Sequence, residues 1–163
     1  MITTTRHNGG SIIVLSFVIA FMLTAMPLPE WALNWRPAWV AMILIYWCMA
    51  IPERVGIGIG WMLGLLLDVQ QGTILGQHAL GLAVIAYITI KSHQQMRVFP
   101  LIQQAMLVFA YLMLLQLFNF WIRGMIGVPP RDWTFWAPPL TSMLIWPWLF
   151  VILRDVRRKF NVS

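Results

Sequence analysis

Few side chains in this sequence can do chemistry, and most of them gather between positions 36 and 78. Asp68 is the one acid inside or beside a long apolar run, because Glu53 and Asp155 fall in polar connections. A carboxylate at membrane depth is a functional candidate. Three roles stand open for it: accepting backbone N–H bonds from the turn Gln70 to Thr73, pairing with Arg36 or Arg123, or touching a ligand or partner. Arg36, Gln70, Gln71, Gly72, Gln77 and His78 are placed to converge with Asp68 at one mouth, an arrangement suited to a small polar molecule. The set holds no nucleophile beside a base, no second carboxylate and no phosphate-cradling loop with its lysine. No enzyme, catalytic residue or cofactor is expected. His7, His78 and His93 fall on separate segments with no second ligand at helical spacing, so no metal site is expected either.

The elements that must position these residues follow from composition. The chain has 163 residues, 60% of them hydrophobic and 10% charged, and a mean hydropathy of +0.77. One water-soluble core cannot hide that much apolar surface, so the expected solvent is lipid. In a bilayer only helices or closed barrels satisfy every backbone group, and the apolar runs here are continuous rather than alternating. The expected fold class is therefore an all-α integral membrane protein, a single polytopic domain over 1–163. Six spans are read at 11–28, 38–51, 55–67, 78–90, 101–122 and 140–153. The first resembles a signal peptide but lacks a clean small-x-small cleavage site, so it is read as an uncleaved helix. The second is bounded by Pro37 and Pro52, and its fourteen residues reach about 21 Å against a hydrocarbon thickness of about 30 Å. Such a short span is expected either to pack inside a bundle or to be lengthened at its outer end through Trp31 to Trp35. Spans three and four are also short, and the loop DVQQGTILGQ joining them is expected to dip inward, while Lys91 to Arg97 is read as a turn. Pro147 is expected to kink the last span. Cys48 lies within an apolar run and is read as a small buried hydrophobe.

Charge sets the orientation. Arg6, Arg54, Lys91, Arg97, Arg154, Arg157, Arg158 and Lys159 fall on one set of alternate connections, and Arg36, Arg123 and Arg131 on the other. The excess places both termini in the cytoplasm and Asp68 at the outer end of its helix. Trp31, Trp35, Trp39, Trp121, Trp133 and Trp136 then fall at the outer interface, where tryptophan is enriched. The segment 154–163 reads as a basic cytoplasmic tail whose Arg154, Arg157, Arg158 and Lys159 anchor to anionic lipid, each contributing about 1 kcal/mol, with docking to a cytoplasmic partner as the other reading. A nucleic-acid role would need a soluble basic domain, which is not found here.

Gly56, Gly60 and Gly64 recur at four-residue spacing, which lines them on one helix face with Asp68 continuing the stripe. Two readings stand: internal packing of this helix, or a groove for a partner's transmembrane helix.

The order of small motifs adds a resemblance. Arg36–Pro37, Tyr46–Trp47, Pro52-x-Arg54, Gly60-x-x-x-Gly64-x-x-x-Asp68, Gly72-x-x-Leu75-Gly76, Ala79–Leu80 and Trp146–Pro147–Trp148 together resemble the MreD family of rod shape-determining proteins of Gram-negative bacteria. The likeness covers nearly the whole chain and rests on order and spacing, since no single motif is specific. It implies six helices in the bacterial inner membrane and a non-enzymatic scaffold and regulator of the cell-elongation machinery. The implied partners are MreC, most directly, then the actin-like MreB, the glycan polymerase RodA and its penicillin-binding transpeptidase, in support of peptidoglycan synthesis and rod shape. It also implies a fold related to the substrate-binding membrane subunits of energy-coupling-factor transporters. The alternative function is therefore solute capture at the outer face by such a subunit.

Overall fold

A computed structural model describes residues 10–33, 35–128, 130 and 133–160. Arg6, His7 and Arg131, which entered the charge and metal arguments, lie outside the described residues, as does the end of the basic tail beyond 160. The described chain is helical: α1 Gly10–Ala25, the single turn α2 Glu30–Leu33, α3 Trp39–Ala50, α4 Ile57–Gln71, α5 Gln77–Val98, α6 Leu101–Met125, a 3-10 turn Trp133–Trp136, and α7 Ala137–Lys159. No strand occurs among the described residues.

Helix α3 is the axis of the bundle. Every residue from Val40 to Met49 is buried, as expected of a helix that is apolar all round. It packs against α1, α5, α6 and α7, so its twelve residues need no polar face. Two polar links fix its height: the Trp47 indole donates to Ser16 Oγ at 2.9 Å, and the Ala38 N–H donates to Ser142 Oγ at 2.9 Å. Around this axis α4 lies along α5, and α6 lies along α7.

The outer helices turn apolar side chains outward. Val14, Met22, Met62, Leu66, Ile102, Met106, Leu144 and Trp148 are all more than half exposed. Helix α6 and the segment Trp133–Lys159 are each long and apolar enough to cross a membrane, and α1 and α3 are shorter apolar helices. Outward apolar faces around a buried axis are the pattern of a helical membrane protein.

Three local expectations change. Lys91 to Arg97 is not a turn: α5 runs on to Val98, since Lys, Gln, Met and Arg are good helix formers and the first breaker is Pro100. The end of the last helix also moves, from 153 to Lys159, because α7 continues through the basic segment with Arg157, Arg158 and Lys159 in its last turn. The polar loop after α4 is also shorter than read. Asp68 to Gln71 are helical, and only Gly72 to Gly76 connect α4 to α5.

Arginines close two helix ends. Arg36 donates to the carbonyls of Thr24 and Met26 at the end of α1, and Arg97 donates to Met49 O and Ala50 O at 2.9 Å each at the end of α3. A guanidinium there satisfies carbonyls that lack helical partners and complements the negative end of the helix dipole.

Candidate functional site

The site starts from a chain reversal. Helix α4 ends at Gly72, whose φ of 69° lies in the left-handed region and lets its N–H and that of Thr73 return to Asp68 O. Gly76, at φ 103°, turns the chain again into α5. The five connecting residues thereby fold back over the Asp68 side chain, which is wholly buried. Its carboxylate accepts Thr73 Oγ1–H at 2.7 Å, the Gly76 N–H at 2.8 Å, the His78 N–H at 2.9 Å and His78 Nδ1–H at 2.8 Å. This is the backbone-accepting role, with different donors from those expected: Gly76 and His78 supply the N–H groups, and the side-chain partners are Thr73 and His78 rather than Arg36 or Arg123. The N-terminal turn of α5 thus holds an anion where its free N–H groups point. Asp68 and His78 are the nearest thing to an acid–base couple among the described residues, but the hydroxyl beside them, Thr73, donates to the same carboxylate.

Beside this knot lies a cavity of about 590 Å³. Arg36, Gln71, Gly72, Gln77 and His78 of the expected cluster line it. Asp68 sits behind its wall, and Gln70 points away and donates to Phe21 O of α1 at 3.1 Å. Opposite, α6 contributes groups that sequence reasoning missed. Gln77 donates to Asn119 Oδ1 at 3.1 Å, Asn119 donates to Gln116 Oε1 at 3.3 Å, and Gln116 donates to Phe135 O. This amide chain ties α5, α6 and the 3-10 turn together along the wall. Arg123 also lines the cavity, with its guanidinium 5.5 Å from the Phe135 ring centroid. The missed signal is the spacing of Gln116, Asn119 and Arg123, three and then four residues apart, which puts them on one face of an otherwise apolar helix. Trp35 and Trp133 meet edge to face at 6.0 Å, and Trp39 lines the cavity. Among the described residues no group of three His, Cys, Asp or Glu gathers to hold a metal.

The glycine stripe faces inward. A Cβ on Gly64 would collide with the backbone of His78 and Ala79, and one on Gly60 would stand 3.0 Å from Leu82 O and 3.2 Å from Ala86 Cβ. The groove that the spacing predicts is filled by α5 of the same chain. Gly56 has more room, its nearest neighbour being Ile90 Cδ1 at 3.9 Å. The close approach of α4 and α5 is what brings Asp68 within reach of the α5 N-terminus.

Among the described residues, an all-helical bundle with outward apolar faces is the architecture of a helical membrane protein. The chain belongs to the rod shape-determining protein MreD family, whose sequence model matches residues 5–156. The rod shape-determining protein MreD of Haemophilus influenzae (strain ATCC 51907 / DSM 11121 / KW20 / Rd) is 36% identical over 146 residues, which is 90% of each chain. No solved structure matches. Membership gives the protein a role in the determination of rod cell shape.

Proposed function

We propose that this protein is a multi-pass scaffold and regulator in the bacterial inner membrane, with six spans and both termini in the cytoplasm. It binds MreC and thereby supports peptidoglycan synthesis by RodA and its penicillin-binding transpeptidase along MreB filaments. The match to MreD over nearly the whole chain carries this reading. The site chemistry agrees with it, because the buried carboxylate is consumed by structural hydrogen bonds. With α5 seated against Gly60 and Gly64, a partner helix would meet α4 on its outward face, at Trp61, Met62, Leu66 and Val69, all exposed. In-cell crosslinking followed by co-purification and mass spectrometry should recover MreC with the wall-elongation enzymes. Replacing Met62 and Leu66 by serine should reduce that yield without loss of membrane insertion.

A second reading rests on the cavity. Its volume of about 590 Å³ and its lining of Arg36, Gln77, His78, Asn119 and Arg123 suit a small polar solute, as in the substrate-binding subunit of an energy-coupling-factor transporter. Recovery of an ATPase pair with a coupling subunit, together with saturable binding abolished by Arg36→Ala, would replace the scaffold reading with this one.

A further inference from the structure

At the opposite, basic end of the bundle a second cavity of about 330 Å³ opens between α3, α5 and α7, lined by Tyr46, Met49, Ala50, Arg97, Phe150 and Arg157. Tyr46 is 1% exposed, and its hydroxyl is buried with no hydrogen-bond partner among the described residues. A buried hydroxyl is normally satisfied, so an unpaired one on a cavity wall indicates a group that enters from outside. The surrounding charge states the sign of that group. Arg97 commits two guanidinium bonds to Met49 O and Ala50 O, which fixes its plane and leaves further N–H donors. Arg157 lies outside both the His78–Asp68 and the Arg154–Asp155 pairings. Arg154 stands over Phe150 at 6.0 Å from the ring centroid, adding a third guanidinium beside the cavity. The acids nearby in sequence, Glu53 and Asp155, are exposed and line no part of it.

We propose that this cavity binds a phosphate group, with Tyr46 donating at its floor and Arg97 and Arg157 at its mouth, and that the phosphate is the headgroup of an anionic glycerophospholipid. The exposed apolar side chains of the same helices support the lipid source. Val98 of α5, next to Arg97, and Ile152 of α7, within two turns of Arg157, are exposed at this end and give acyl chains an apolar surface. The site is specific, in contrast to diffuse attraction between the basic end of α7 and an anionic leaflet, and it does not depend on the scaffold reading.

The test uses the full chain in neutral detergent, with phosphatidylglycerol, phosphatidylcholine and inorganic phosphate as probes, read by native mass spectrometry and by the thermal shift each probe produces. The parent protein is expected to retain phosphatidylglycerol in preference to phosphatidylcholine. Tyr46→Phe and Arg157→Gln should each weaken that binding about tenfold, while Lys159→Gln, exposed and turned toward the Phe160 ring, leaves it near the parent value. Tyr46→Phe removes an unpaired hydroxyl and should unfold no earlier than the parent in lipid-free detergent, so its loss of binding is separable from loss of fold. Parent-like binding by Tyr46→Phe, or equal losses at Arg157 and Lys159, would overturn the site in favour of diffuse attraction. A thermal shift from inorganic phosphate, with no phospholipid retained, would keep the phosphate cradle and overturn the lipid headgroup.

Discussion

Asp68 works as a structural hub because four donors from three residues reach one carboxylate. Asp68→Asn keeps the shape but places an amide N–H₂ against donors that need an acceptor. The variant should lose about 3 kcal/mol, read as a lower unfolding temperature in detergent, and an unchanged temperature would deny the hub. Gly72→Ala should cost about 1 kcal/mol, since the left-handed φ of 69° crowds a Cβ. At this scale the sequence was partly legible. A lone acid ahead of a glycine-bounded turn marks a carboxylate that gathers backbone N–H groups. Which N–H groups it gathers depends on where α5 begins, and the sequence places Gly76 and His78 no nearer to Asp68 than Gln70 or Thr73. Gln70 points to α1 instead of the cavity because the last turn of α4 passes that helix, a contact made by residues far apart in the chain.

Between elements, the decisive contact is α4 on α5. Gly64→Ala should push the helices apart, because the added Cβ would strike the His78 and Ala79 backbone, which cannot rotate away as a side chain can. A loss of about 3 kcal/mol is expected, along with weakened burial of Asp68. Gly58 is the internal comparison, on the same helix but with nothing within 4 Å of an added Cβ. Gly58→Ala should be neutral or gain up to about 1 kcal/mol from helix propensity. Thermal unfolding of the pair separates packing from propensity, and equal effects would refute the close-approach account. The four-residue spacing revealed that a close approach exists. It could not say whether the approaching backbone belongs to the same chain, since small residues serve both kinds of contact.

For the whole molecule, the proposed topology predicts which end faces which compartment. In a Cys48→Ser background, Val128→Cys at the cavity end should react in intact cells with a membrane-impermeant thiol reagent. Lys159→Cys at the basic end should react only after permeabilisation. Both positions are exposed in the fold, so reversed labelling would invert the orientation read from the Lys and Arg distribution. The division of the bundle into a tryptophan-rich polar end and an arginine-rich end is a property of all the helices together. It fixes two cavities of different chemistry at opposite ends of one apolar body.

Hydropathy and proline placement by themselves determined that the chain is helical, that it belongs in lipid, and that the segment 38–51 is too short to span comfortably unless it is enclosed by its neighbours or lengthened at one end. Backbone groups in lipid have no other solution, and a helix too short to span comfortably has to be covered by protein or extended. The same local rules marked Arg36, Asp68, Gly72 and His78 as belonging to one polar mouth. Only the tertiary structure decided that Asp68 is consumed in a turn rather than offered to a ligand, that Gln116, Asn119 and Arg123 complete the wall, and that Tyr46 faces Arg97 and Arg157 across a second cavity. Those outcomes depend on which helices become neighbours and at what height, and no local rule carries that information. It arises from the mutual fit of side chains along the whole bundle.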